Sequence, residues 1–344
     1  MERKQRSCLW DNIKFILILL MVLGHFADLY TEKPYLTEST QTIYFIIYGF
    51  HMPAFIFING LFAKNTIRQR KWHKLFDYFV LYVAVKAVWM ISSRINGGGR
   101  NFWLPDGGGI AWYALALGAF VLITMLLQHC SPVYVLCFSI VVGCLSGYHS
   151  ADGDILALNR ILAFYPFFYL GYLCDPEKIR LLLSGWKAKV IAAAIAAVYL
   201  VYCITNIEEI YWLRPLLTGR NSYDLLEFYP EWGGIFRLIH YIVIGVLLCA
   251  LIALVPNRRC IITKWGERAT NVYVLHYLVI QSFQDSWGGA EFITAHCPEH
   301  PELVLIPVSI AVTIFFSLGF WERPMKALLH PKWDQAQEVR RQSH

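Results

Sequence analysis

Residues 11–30 read DNIKFILILLMVLGHFADLY, an apolar run interrupted only by Asp11, Asn12, Lys14, His25 and Asp28. Twenty helical residues at 1.5 Å each cover roughly 30 Å, the thickness of a bilayer's hydrocarbon. Similar blocks recur near 43–63, 75–92, 111–129, 132–148, 157–174, 186–205, 234–255, 269–287 and 303–321. No stretch between them is long enough to fold as a soluble domain. The predicted fold is therefore an all-α polytopic membrane protein. It has about ten transmembrane helices in one domain over 1–344. Composition agrees: 57% of residues are hydrophobic, 16% aromatic and only 16% charged. A soluble domain carries about 25% charge. These values exclude a disordered, collagenous or coiled-coil chain. The first block does not read as a cleaved leader, because it carries Asp11 and Lys14 and lacks a small-x-small site.

Orientation follows from the Lys/Arg bias between loops. With the N-terminus inside, inner segments hold Arg3, Lys4 and Arg6, the cluster Lys64, Arg68, Arg70, Lys71, Lys74, and Lys332, Arg340 and Arg341 near the end. Outer segments hold only Lys33, Arg94, Arg100, Arg214 and Arg220. An even number of spans then places both termini in the cytoplasm. The net charge of +6 is a product of topology, and no nucleic-acid partner is indicated. Cys203 and Cys297 lie toward the outside; a disulfide framework is not indicated. The runs Gly97–Gly99 and Gly107–Gly109, around Phe102 and Trp103, have no following Lys-Ser/Thr. They read as an outer loop touching sugar or lipid headgroups rather than as a phosphate loop.

Ionisable groups inside a membrane are costly and mark function. Lys14 and His25 are eleven residues apart, within about 20° of three full helical turns and about 16 Å along the axis. Asp11, Lys14, His25 and Asp28 thus share a face that would line a polar passage. His51 lies beside Pro53, whose missing N–H frees the carbonyl of Gly49. Asn59, Lys86, Arg160, Arg237, His240 and His276 also fall within spans. Converging faces would set His25 in a wet, cationic chamber. The competing reading makes the histidines helix-packing partners, Lys86 a snorkelling side chain, and Arg237 and His240 interface anchors. Ser184-x-x-Lys187 matches a hydrolase tetrapeptide without its partner motifs, and no metal-ligand spacing or G-x-S-x-G is present, so no metal is expected.

These residues resemble the acyltransferase-3 family of integral membrane acyltransferases, in its fucose O-acetylase-like branch. Asp11-Asn-Ile-Lys14 followed by His25 is similar to the family's first-span pattern, and Phe50-His51-Met52-Pro53 through Asn59-Gly60 to its second. Trp112-Tyr113-x-Leu115, Arg160 with Tyr165-Pro166-Phe167-Phe168, Trp265-Gly266 through Tyr273 and His276, and Glu322-Arg323-Pro324 resemble later motifs. Lys14 replaces the commoner Arg, and Thr270 the usual Ser. The resemblance covers the whole chain and implies ten spans. It also implies transfer of an acyl group, usually acetyl from acetyl-CoA, to a hydroxyl of a carbohydrate or other cell-envelope acceptor.

Chemically, a hydroxyl attacking a thioester needs a base near neutral pH, and histidine supplies one. His25 is the expected base, or a transient acyl carrier. Asp11 and Lys14 would hold the inner passage. His51, Asn59 and Arg160 are candidates for oxyanion stabilisation, Arg237 and His276 for substrate contact, and Arg68 and Arg70 for the CoA phosphates. The alternative to plain positive-inside charge is what gives Arg68 and Arg70 that role. The same buried charges would serve a transporter or exporter of a polar solute, and a non-catalytic scaffold in glycan assembly is a third reading. The expected setting is the inner membrane of a bacterium, among membrane lipid, with a homo-oligomer compatible.

Overall fold

The computed structural model describes residues 7–31, 36–99, 103–105, 107–149 and 155–329. Arg3, Lys4, Arg6, Lys33, Arg100, Phe102, Lys332, Arg340 and Arg341 lie outside the described residues. Among the described residues the chain is helical throughout. The main helices are α1 (Cys8–Asp28), α2 (Glu38–Tyr48), α3 (His51–Phe62), α4 (His73–Ile95), α5 (Trp112–Leu127), α6 (Pro132–Leu145), α7 (Leu158–Leu173), α8 (Trp186–Thr205), α9 (Gly233–Leu254), α10 (Ala269–Asp285) and α11 (Glu302–Phe316).

Every apolar block predicted from sequence is a helix, but the lengths differ from expectation. Five segments are long and apolar enough to cross a membrane: α1, α2 with α3, α4, α8 and Pro230–Leu254. A sixth qualifies if Glu302–Phe316 and Gly319–Leu329, bent by 52°, form one span. Helices α5, α6, α7 and α10 have 16, 14, 16 and 17 residues. At 1.5 Å per residue they cover only about 21–26 Å. The apolar blocks ran longer than the helices because turns and 3-10 segments, such as Ser146–Tyr148, complete them. The protein is a multi-pass helical membrane protein.

Helix α1 is the hub. It touches α2, α3, α10, α11 and the short helix Ile261–Gly266. Its first turn is tied down by a loop 250 residues away. The side-chain oxygen of Asn257 accepts from the Leu9 N–H at 3.0 Å, and buried Asn12 donates to the carbonyls of Pro256 and Arg258. Thr263 donates to Asn12 at 2.7 Å, completing the joint. At the same level Arg268 pairs with Glu322 at 2.6 Å, joining two motifs distant in sequence. Helix α8 is the opposite case: only Ala192 and Cys203 are buried, so its apolar surface faces lipid. All nine cysteines are free thiols, and Cys203 packs among Tyr44, Phe45 and Ile207.

The second predicted span is broken. Helix α2 begins at a reciprocal Thr37/Thr40 cap and ends at Tyr48; α3 begins at His51, after Phe50 has left helical geometry (φ −152°, ψ −20°). Pro53 has no N–H for the Gly49 carbonyl four residues back. His240 of α9 takes that carbonyl instead, its Nε2 donating at 2.8 Å. The bond pins the break between two helices 191 residues apart in sequence. Replacing His240 by Ala leaves the Gly49 carbonyl without this donor. Its loss should cost about 1–3 kcal/mol, read as a lower unfolding midpoint of the detergent-solubilised protein.

Candidate active site

One end of the bundle holds a cavity of about 480 Å³. Helix α1 presents Met21, His25 and Asp28 to it, at the four- and three-residue spacing of one helical face. Tyr44 and Tyr48 enter from α2, His51 from the first turn of α3, Trp112 and Tyr113 from α5, Arg160 from α7, and Tyr273 and Tyr277 from α10. The segment 214–225 supplies Arg214 and Arg220. The break in the second span has a clear use here: it sets Tyr48 and His51, on either side of it, toward the same space.

His25 is half-buried and held from three sides. The Tyr48 hydroxyl lies 3.3 Å from its Nδ1. The His276 ring stacks on it at 5.4 Å and 27°, and Tyr277 meets it edge-on at 6.1 Å. The two neighbouring histidines have assignable tautomers. A carbonyl can only accept, so His51 Nδ1 donates to Ile47 O at 2.7 Å. His276 Nδ1 donates in the same way to Val272 O and Tyr273 O, at 2.9 and 3.0 Å. An uncharged ring then has Nε2 as an acceptor. His51 is therefore unsuited to stabilise an oxyanion. Beside Arg214 and Arg220 the cavity has a third cation, Arg160, which is buried with its guanidinium 4.9 Å over the Trp112 ring.

The other candidates fall elsewhere. Asn59 stands one layer behind the wall, donating to Phe55 O at 2.8 Å and to the Tyr113 hydroxyl oxygen at 2.6 Å. That bond occupies an acceptor site of Tyr113 and turns its O–H toward other partners. Arg237 is buried and holds the covering segment, donating to Leu216 O at 2.8 Å and to the Tyr223 hydroxyl at 3.3 Å. Asp11 and Lys14 pair with each other at 3.3 Å, with Lys14 over the Phe62 ring. They do not line the cavity. Between Lys14 and Met21 the helix carries Leu17 and Ile18, both buried in the apolar core. Arg68 and Arg70 are exposed beyond the far end of α3, where Arg70 donates to His129 Nε2 at 3.0 Å. Lys86, read as a snorkelling candidate, is buried and donates to Trp103 O at 2.5 Å.

Sequence reasoning missed Tyr48, Tyr113, Tyr277, Arg214 and Arg220 as cavity residues. Arg214 is fixed by Thr31 at 3.0 Å, by Asp28 at 3.5 Å and by the Tyr44 ring, so an outer-loop arginine becomes part of the wall. Tyr48 had a usable signal: it lies three residues before His51.

A family profile described as an acyltransferase domain matches residues 10–322. The chain is also similar to nodulation protein NolL of Sinorhizobium fredii, 29% identical over 183 residues. That match covers 49% of this chain and 48% of the relative, so it spans about half of each. No solved structure matches the chain.

Proposed function

The chain belongs to the acyltransferase-3 family, and from that membership we propose that it moves an acyl group, acetyl in the simplest case, from acyl-CoA to a hydroxyl of a cell-envelope carbohydrate or similar acceptor. The proposed setting is a bacterial inner membrane crossed by ten helices, with both termini cytoplasmic. The observation that carries the reading is His25 on the wall of a cavity it shares with a buried arginine, Arg160.

In the proposed cycle His25 Nδ1 donates to the Tyr48 oxygen, leaving Nε2 as the base. Nε2 takes the acceptor's hydroxyl proton as the oxygen attacks the thioester carbonyl. The tetrahedral oxyanion is met by the Arg160 guanidinium and the Tyr113 O–H. Collapse breaks the carbon–sulfur bond, and His25 returns the proton to the departing thiolate, which regenerates the neutral base. The products are an ester and free CoA. Arg68 and Arg70 are proposed to hold the CoA phosphates. They lie beyond the far end of α3, whose twelve residues cover about 18 Å, and Lys14 lies toward the same end of the bundle.

Membranes containing the protein, incubated with radiolabelled acetyl-CoA and envelope extract, are expected to form a base-labile labelled ester. Control membranes should form none. Equal labelling in both overturns the proposal.

A further inference from the structure

Beside the catalytic cavity lies a second, quite different space of about 270 Å³ between α2, α8, α9 and the segment 210–217. Its walls are apolar almost throughout, from Phe45, Leu213 and Leu216 inside to Tyr202, Ile239 and Val243 at the rim. The rim residues are exposed (54%, 52% and 37%). They continue an apolar outer face formed by Val198, Val201, Ile242 and Val246, all exposed. In a membrane protein that face meets hydrocarbon, so the slot opens sideways to lipid rather than to water. Its inner wall is shared: Leu217 lines both the slot and the cavity holding His25. On the cavity side of Leu217 stand Arg214, Thr218 and Arg220. Apolar and polar compartments thus meet across one leucine.

We propose that the slot receives the hydrocarbon tail of a membrane-anchored acceptor, whose hydroxylated headgroup occupies the polar cavity. The protein is then a modifier of amphiphiles that enter laterally from the bilayer. The assignment deepens the transferase reading and rests on it. A tail gains little by leaving bulk lipid for an apolar slot, since both media are hydrocarbon. Preference for the acceptor over ordinary lipid comes instead from its headgroup, which finds arginine, threonine and tyrosine side chains in the cavity. The slot fixes how far the headgroup reaches past Leu217. It also abuts the His240–Gly49 bond, so a seated tail lies directly behind the break that presents Tyr48 and His51.

The test uses the full chain in lipid nanodiscs and a dodecyl glucoside carrying a diazirine at the end of its tail. The comparison probe is a phosphatidylcholine with the same diazirine in one acyl chain, at equal mole fraction. On illumination the glucoside should label peptides containing Tyr202 and residues 236–243 several-fold more than the phospholipid does. Val243→Trp and Ile239→Trp, which plug the mouth from exposed positions, should remove that excess while leaving the unfolding midpoint unchanged. Equal labelling by both probes identifies bulk lipid as the occupant and overturns the proposal; so does an excess that survives both plugs. Transfer from labelled acetyl-CoA to the glucoside is measured in parallel. Slot labelling without ester upholds the slot and counts against the transferase reading. Ester formation with evenly spread labelling does the reverse.

Discussion

Replacing His25 by Ala should lower acyl transfer by about 10²–10⁴-fold, the range lost when a positioned general base is removed, with the protein still inserted and folded. The structure supports both halves of that expectation. The ring contacts Tyr48, His276 and Tyr277 at the cavity wall and is only half-buried, so its removal enlarges a space that is already open. Of its two histidine neighbours, His276 is buried and does not line the cavity, and His51 is buried in its wall. Tyr48→Phe provides a graded companion. It keeps the ring but removes the oxygen facing His25 Nδ1, so the imidazole loses the partner that selects its tautomer. A smaller fall in kcat, with KM for acyl-CoA nearly unchanged and an altered pH–rate profile, is the expected signature. Initial rates with labelled acetyl-CoA measure both variants. A His25→Ala protein retaining a third of wild-type rate removes His25 from the role of base.

The helices and the angular arrangement around α1 were legible in the sequence because each depends on local periodicity. His25, set on α1 four residues after Met21 and three before Asp28, looks into the cavity with both of them. Depth was not legible. Periodicity says which way a side chain points, not how far along the helix the cavity extends, and the cavity lining on α1 begins at Met21. Asp11 and Lys14 therefore form their own pair below it. The freed carbonyl of Gly49 followed from Pro53 alone, whereas its donor, His240, could only be known once α9 was placed against the break. The arginines of segment 214–225 were hidden for a related reason. They read as loop charge, and the position of Arg214 over Asp28 and Tyr44 is set by long-range packing. Arg237 shows the converse: an ionisable group within a span that serves to hold a loop down.

Gly171→Ala should be among the most damaging small substitutions in the protein. Helices α3 and α7 cross at close quarters, and they meet glycine against backbone in both directions. A Cβ on Gly171 would sit 2.1 Å from the Phe57 carbonyl oxygen, and one on Gly60 would sit 2.0 Å from the Phe168 carbonyl oxygen. Neither obstacle is a side chain that can rotate away. Relief requires the helices to separate, which also undoes packing of Phe167, Phe168 and Ile58 in the core. Small residues at such crossings let membrane helices approach, and overfilling a packed site costs about 1–3 kcal/mol or more. The expected loss for Gly171→Ala or Gly60→Ala is at least at the top of that range, seen as a failure to recover monodisperse protein from detergent. Gly245→Ala is the matched control. It lies within α9 with nothing inside 4 Å of the added carbon, and alanine is favoured over glycine in a helix by about 1 kcal/mol. That variant should be unchanged or slightly more stable in the same thermal assay. The contrast bears on catalysis as well. His51 stands at the start of α3 and Arg160 near the start of α7, so the Gly60–Gly171 crossing sets how near these two come across the cavity. A Gly171→Ala protein that is recovered intact, with full transfer activity, would show that the site tolerates a wider spacing than this close contact implies.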